Sequence, residues 1–208
     1  MKKLSYLLAV ITLIAFVILR ENYESELMQR LDKEMSDILF GNELITAFHY
    51  IGDTLFVICI AVLLLLFLWF RKHNYRGMFF VLLTFGGGTL LNQVLKNWVQ
   101  RPRPEIVDQL TSFSFPSGHT MSAILYLLTV AYIISEITAS GRKVLVVWLI
   151  AILLAFMIGI SRIAEGRHFA TDVLAGWAMG YTWFIACTVW YERSKKRNAE
   201  VKRVHIKK

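Results

Sequence analysis

Apolar and charged residues follow one another along this chain in long blocks. Apolar runs cover 4–19, 54–70, 77–95, 119–134, 144–160 and 172–191, each near the length at which a helix crosses a hydrocarbon layer of about 30 Å. The pattern predicts an all-α polytopic membrane protein: one domain over 1–208, with six transmembrane helices. The first run is slightly short, but flanking residues can reach the interface. It follows Lys2 and Lys3 as a signal peptide would, yet ends ILREN without an A-x-A-like cleavage step, so we expect it to be retained.

Segment 21–53 is polar. Leu27, Leu31, Met35 and Ile38 recur there at helical spacing, separated by Glu26, Arg30, Lys33, Glu34 and Asp37. That pattern predicts an amphipathic helix lying in the membrane interface. Gly41-Asn42 should stop it, with Asn42 capping a second short helix that begins at Glu43. In the third run Gly86-Gly87-Gly88, and in the sixth Gly176 and Gly180 at GxxxG spacing, permit close helix contact.

Composition agrees: 56% of the 208 residues are hydrophobic, too many for an ordinary soluble domain. The net charge of +8 does not point to nucleic acid, because Arg193, Lys195, Lys196, Arg197, Lys202, Arg203, Lys207 and Lys208 crowd the tail 192–208. A basic tail fits the positive-inside rule, as do Arg71, Lys72, His73 and Arg76, and Arg142 and Lys143. We therefore expect a multi-pass plasma-membrane protein with both termini cytoplasmic, anionic headgroups beside its tail and the bilayer as its main partner. No obligate protein partner is evident. Cys59 and Cys187 lie inside apolar runs and read as small core residues.

Lys96, Arg101, Arg103, Arg162 and Arg167 break the charge rule, since this topology puts them outside. They belong to three islands. In KNWVQRPRP, Pro102 and Pro104 stiffen the backbone behind Lys96 and Arg103. Pro116-Ser117-Gly118-His119 opens the fourth run, where Gly118 lets a ligand approach the backbone and free N–H groups attract an anion. In SRIAEGRHFATD, His168 and Asp172 stand four apart and would share a face if that piece is helical. The carboxylate can then fix the imidazole tautomer and leave the other nitrogen as base or nucleophile.

The surrounding cations oppose a divalent metal, and we expect neither metal nor cofactor. A tetrahedral oxyanion suits them: Lys96, Arg103 and Arg162 can neutralise phosphoryl oxygens, His168 can attack, and His119 can protonate the leaving oxygen.

The set Lys96-x6-Arg103-Pro104, Pro116-Ser117-Gly118-His119 and Ser161-Arg162-x5-His168-x3-Asp172 resembles the three signature motifs of the type 2 phosphatidic acid phosphatase family. The resemblance implies a phosphohistidine mechanism with His168 as nucleophile, Asp172 its partner and His119 the general acid/base. It also implies phosphate binding by Lys96, Arg103, Ser117, Gly118 and Arg162, without metal. The expected substrate is a lipid phosphate or diphosphate met on the extracytoplasmic face. Undecaprenyl diphosphate and phosphatidylglycerophosphate lead, ahead of phosphatidic acid and diacylglycerol diphosphate. The rival reading is a non-catalytic lipid-phosphate carrier, which would need the cations but not the His–Asp pair.

Elsewhere plainer roles are expected. Ser161 should cap or support, and Arg101 and Arg167 adjoin the site with either a second phosphate or a solvated interface to meet. His49 and Tyr50 read as interface anchors, His73 and His205 lie on the inner side, and Trp69, Trp98, Trp148, Trp177, Trp183 and Trp190 read mostly as interfacial belts.

Overall fold

A computed structural model describes residues 3–71, 73–105 and 111–206, with side chains to Arg197. The expectations for Lys2, Lys72, Lys202, Arg203, His205, Lys207 and Lys208 therefore concern side chains outside the described residues. The described chain is helical: α1 (Lys3–Asn22), α2 (Glu26–Leu39), α3 (Glu43–Thr46), a 3-10 turn (Ala47–Gly52), α4 (Thr54–Phe70), α5 (Tyr75–Val99), α6 (Gly118–Ile137), α7 (Gly141–Ala164) and α8 (Ala170–Ile206). Five of these, α1, α5, α6, α7 and α8, are long and apolar enough to cross a membrane. A sixth crossing is formed if Glu43–Gly52 and α4, bent by 44° at Asp53, count as one. The bend has a local cause: Asp53 is extended and its carboxylate accepts the Thr54 N–H, starting a new helix there.

Helices α6 and α8 form the centre, each burying 56% of its most apolar window against 6% for α1. Small residues let them meet. A Cβ at Gly176 would lie 2.9 Å from the Ser117 carbonyl oxygen, and one at Gly180 2.9 Å from Ile124 Cγ2, so the GxxxG face packs α8 onto α6. Only part of the glycine triplet packs: Gly88 faces Leu125 and Gly87 faces Trp183, whereas Gly86 has open space before it. Asn42 caps α3 as expected, accepting the Ile45 N–H at 3.1 Å.

Several helices outrun their apolar runs. The fifth continues to Val99 because Gln100 takes the left-handed conformation, φ 55°, before Pro102 can interfere. Lys96 thus sits on the last turn of a helix, not in a loop. The seventh likewise carries Arg162 on its last turn and stops where Gly166 adopts φ 70°. The backbone of α8 runs on through the basic segment to Ile206, where no Gly or Pro interrupts it.

Two of the expected belt tryptophans are packing residues instead. Trp177 donates its Nε1–H to the Ala155 carbonyl and covers Gly159; Trp183 donates to the Leu83 carbonyl and covers Gly87. Each uses a glycine to bring a large ring flat against a neighbouring helix.

Substituting Gly176→Ala should lower the melting temperature in detergent, because its contact is backbone and cannot rotate away; the overpacking cost is about 1–3 kcal/mol. Gly86→Ala, facing open space, should melt with the wild type. Equal melting of both variants would contradict the close α6–α8 contact.

Candidate active site

Four helix ends and two loops supply the site. The C-terminal turns of α5 and α7 bring Lys96 and Arg162, the N-terminal turns of α6 and α8 bring His119 and Asp172, and the connecting segments bring Arg103 and His168. The starts of α6 and α8 offer N–H groups and partial positive charge to an anion, the ends of α5 and α7 carry the opposite partial charge, and the cationic side chains decide the sign.

Asp172 anchors the arrangement. Ala170 is the first residue of α8, which makes Phe169 its N-cap and Asp172 its third residue. The Asp172 carboxylate reaches back to accept the Phe169 N–H at 3.0 Å, the reciprocal half of a capping box. His168 therefore lies just outside the helix, not on its face as the spacing had suggested, and meets Asp172 through this turned-back carboxylate. Its Nδ1 lies 3.3 Å from Asp172 Oδ2, so Nδ1 carries the proton and Nε2 keeps its lone pair. Nε2 stands 3.1 Å from Arg103 Nη1. Burial pushes the His168 imidazole down to about 4; Asp172 opposes the shift, and Arg103 and Lys96 add to it. At neutral pH the ring is uncharged and its Nε2 lone pair is free of a proton.

The cations are locked in place. Arg103 donates to the Ser112 carbonyl (2.7 Å), the Arg167 carbonyl (2.8 Å) and the Ser112 hydroxyl (3.0 Å), fixing the guanidinium beside His168. Burial pulls its proton affinity below the ordinary value. Lys96 is buried and donates to the Phe113 carbonyl. Arg162 is buried, pairs with Glu165 through Nη1, and leaves its Nε without a hydrogen-bond partner among the described residues. An orphaned guanidinium donor at such a depth calls for an acceptor from outside the chain.

Lys96, Arg103, Gly118, His119, Arg162 and His168 all line one cavity of 680 Å³. Asn92, which the motifs do not include, lines it too; its Nδ2 donates to the Pro116 carbonyl and its Oδ1 would crowd a Cβ at Gly118. Ser117 is placed differently. It is fully buried, its N–H donates to the Asp172 carbonyl, and its hydroxyl accepts from Thr120. It sits behind the cavity wall. Ser161 is buried and bonds back to the Ile158 carbonyl in its own helix. Arg101 is buried rather than solvated and is not part of this cavity's lining, with Nη1 on Asp172 Oδ1 at 2.7 Å and Nη2 on Asp32 Oδ2 at 2.8 Å. Asp32, on α2, went unread in the sequence because its neighbours there are ordinary surface charges. His49 bonds to the Thr46 carbonyl and packs on Tyr50, outside the cavity lining. Among the described residues no group of three or more His, Cys, Asp or Glu side chains could hold a metal ion.

A cavity walled by fixed cations, a helix N-terminus and a His–Asp pair suits a phosphate, and the chain belongs to the PAP2 superfamily, whose model matches residues 76–196. Phosphatidylglycerophosphatase B of Bacillus subtilis is 34% identical over 158 residues, spanning 74% of this chain and 77% of that protein. A PA-phosphatase related-family protein of Dictyostelium discoideum is 32% identical over 79 residues, 36% of this chain and 22% of its own. The crystal structure of a transmembrane PAP2-type phosphatidylglycerolphosphate phosphatase from Bacillus subtilis superposes with a TM-score of 0.81 at 32% identity, covering 89% of this chain and 96% of that one. The protein is thus a PAP2-type membrane phosphatase.

Because burial favours the neutral ring, the His168 imidazole in ligand-free protein should stay uncharged at pH 6 and gain its proton only near pH 4. The sign also sets stability: above about pH 6.5 both folded and unfolded rings are neutral, and between about 6.5 and 4 protonation of the unfolded ring erodes stability. Imidazole 15N shifts read the titration directly, and a midpoint at 6.5 would contradict the buried geometry.

Proposed function

We propose that this protein hydrolyses the terminal phosphate of a lipid phosphate or diphosphate through a phosphohistidine on His168, without a metal. The observation that carries the reading is the course of the cavity. From the cationic end it runs between α4 and α5, lined by Val57, Ile58, Ala61, Phe85 and Leu90, with Gly86 leaving room. One continuous space thus offers charge to a phosphate and an apolar wall to an acyl or prenyl chain.

In this mechanism the phosphate lies against Lys96, Arg103, Arg162 and the Gly118 N-terminus, with the Arg162 Nε–H among its donors. His168 Nε2 attacks phosphorus as the bond to the leaving oxygen breaks, and His119 delivers a proton to that oxygen. The imidazole, bonded to phosphorus, keeps its Nδ1 proton on Asp172. Water then attacks phosphorus with His119 taking its proton, and phosphate leaves with His168 restored. Ser117, from behind, holds the helix N-terminus to Asp172. The crowding of cations supports metal independence, since a divalent ion would meet repulsion.

Phosphatidylglycerophosphate is favoured as substrate by the name of the 34%-identical relative, and undecaprenyl diphosphate meets the same two requirements of charge and tail. We read the whole chain as one membrane phosphatase domain in the plasma membrane. Arg71, Arg76, Arg142, Lys143 and the tail mark the end away from the site, which the positive-inside rule makes cytoplasmic, with both termini there and the site outside.

Phosphate release from a panel of lipid phosphates and diphosphates, in detergent with EDTA, tests this reading. Release from one lipid should resist the chelator and disappear in His168→Ala; retained turnover in that variant would remove the nucleophile assignment, and release that stops with EDTA would remove metal independence. Arg162→Lys, lacking the Nε donor and the planar fork, should lose about tenfold or more in kcat/KM.

A further inference from the structure

Outside the substrate cavity, the strongest unexplained feature is a buried carboxylate on the amphipathic helix α2. Asp32 is 5% exposed and is not part of the substrate-cavity lining. It accepts the Thr171 N–H at 2.8 Å, the Thr171 hydroxyl at 2.9 Å and Arg101 Nη2 at 2.8 Å. The guanidinium between them is held on both faces, with its Cζ 4.7 Å from the Tyr23 ring centroid and 4.1 Å from that of Phe169. Its other nitrogen, Nη1, meets Asp172 Oδ1 at 2.7 Å, and Asp172 Oδ2 meets His168. The result is an unbroken row of groups, Asp32, Arg101, Asp172 and His168.

We propose that Asp32 is a positioning residue for the nucleophile, acting through Arg101 to set the charge that Asp172 presents to His168. The inference rests on the phosphohistidine reading for its catalytic consequence. With a neutral imidazole the row carries one net negative charge; when His168 bonds to phosphorus and retains its Nδ1 proton, the row becomes neutral. Without Asp32, the Arg101 charge would hold Asp172 alone and weaken its attraction for the imidazolium. A buried ion pair left half-made transmits its charge to the next member, because little water screens it. The other charged and titratable groups that share the cavity with His168 are Lys96 on α5, Arg103 on the segment after it, His119 on α6 and Arg162 on α7. Tyr23, Glu24, Lys33 and Asp37 share an outer cavity with His168 from the α2 side. None of these stands between Asp32 and Asp172.

The test uses the full-length protein in detergent, with imidazole 15N shifts and phosphate-release kinetics as paired readouts. Asp32→Asn keeps the shape and removes the charge. Thr171→Val removes a hydroxyl from Asp32 and leaves both charges of the Asp32–Arg101 pair. Near pH 4, where wild-type His168 is about half protonated, Asp32→Asn should leave only about one ring in ten protonated, a shift of about one unit. Its kcat should fall about tenfold with KM within about twofold, the signature of an interaction felt only in the transition state. Thr171→Val should lower the melting temperature and keep the wild-type titration. An unmoved His168 titration in Asp32→Asn makes Asp32 a mere tether and overturns the proposal, as does an equal shift in Thr171→Val. Should Asp32→Asn not accumulate, Asp32→Ser, equally uncharged and smaller, carries the same titration test with the same two outcomes. Absence of phosphate release from wild-type protein would sink the phosphatase reading, while the titrations would still decide the coupling.

Discussion

The carboxylate of Asp172 is the group on which the site depends. Being fully buried, it must be satisfied by donors, and those donors come from separate parts of the chain: the Phe169 N–H of its own helix start, the His168 ring, and Arg101 from the segment after α5. Its backbone carbonyl takes the Ser117 N–H from the start of α6. One residue thereby ties three of the contributing segments together. An ionised group in an apolar bundle is tolerable only when nearly every lone pair is used. Here the contacts that satisfy the carboxylate also fix the orientation of the His168 ring.

These contacts can form only because the helices approach closely. Gly176 lets α8 lie against the Ser117 carbonyl, and Gly159 and Gly87 accept the rings of Trp177 and Trp183. In a lipid environment apolar burial does not drive helix to helix, so shape and a few backbone-directed hydrogen bonds must do it. The indole N–H bonds to Ala155 and Leu83 are of that kind. Packing and chemistry meet at Ser117, whose carbonyl touches the glycine and whose N–H holds the dyad.

Much of this was legible from the residues. Long apolar blocks announced the helices, and three of the cations singled out for breaking the charge rule, Lys96, Arg103 and Arg162, are gathered by the fold into one cavity. Less visible was anything depending on how a helix ends. Lys96 and Arg162 lie on final turns because Gln100 and Gly166 adopt left-handed backbone, which apolar runs do not report. The His168–Asp172 pair was expected from helical spacing but arises from a capping contact that gives the same reach. Asp32 escaped notice, and Arg101 was read only as a cation beside the site, for a different reason. Each is a charged residue in a polar stretch, where a solvated role is the ordinary outcome, and only their pairing across the fold reveals them. The tryptophans misled because a ring near a span's end and a ring packed on glycine look alike in sequence.

The cations also act on one another. Lys96, Arg103 and Arg162 share one cavity, and like charges in a weakly screened space repel. Their donors are partly diverted: Lys96 to Phe113, Arg162 to Glu165 and Arg103 to Ser112 and Arg167. The carbonyl and hydroxyl contacts hold Lys96 and Arg103 without cancelling their charge, and Glu165 offsets part of that of Arg162. The Arg162 Nε has no hydrogen-bond partner among the described residues. A bound phosphate would relieve the repulsion and supply the missing acceptor together. Charges placed in this way before a ligand arrives need no reorganisation when one binds, which is the meaning of electrostatic preorganisation for a group whose charge spreads in the transition state.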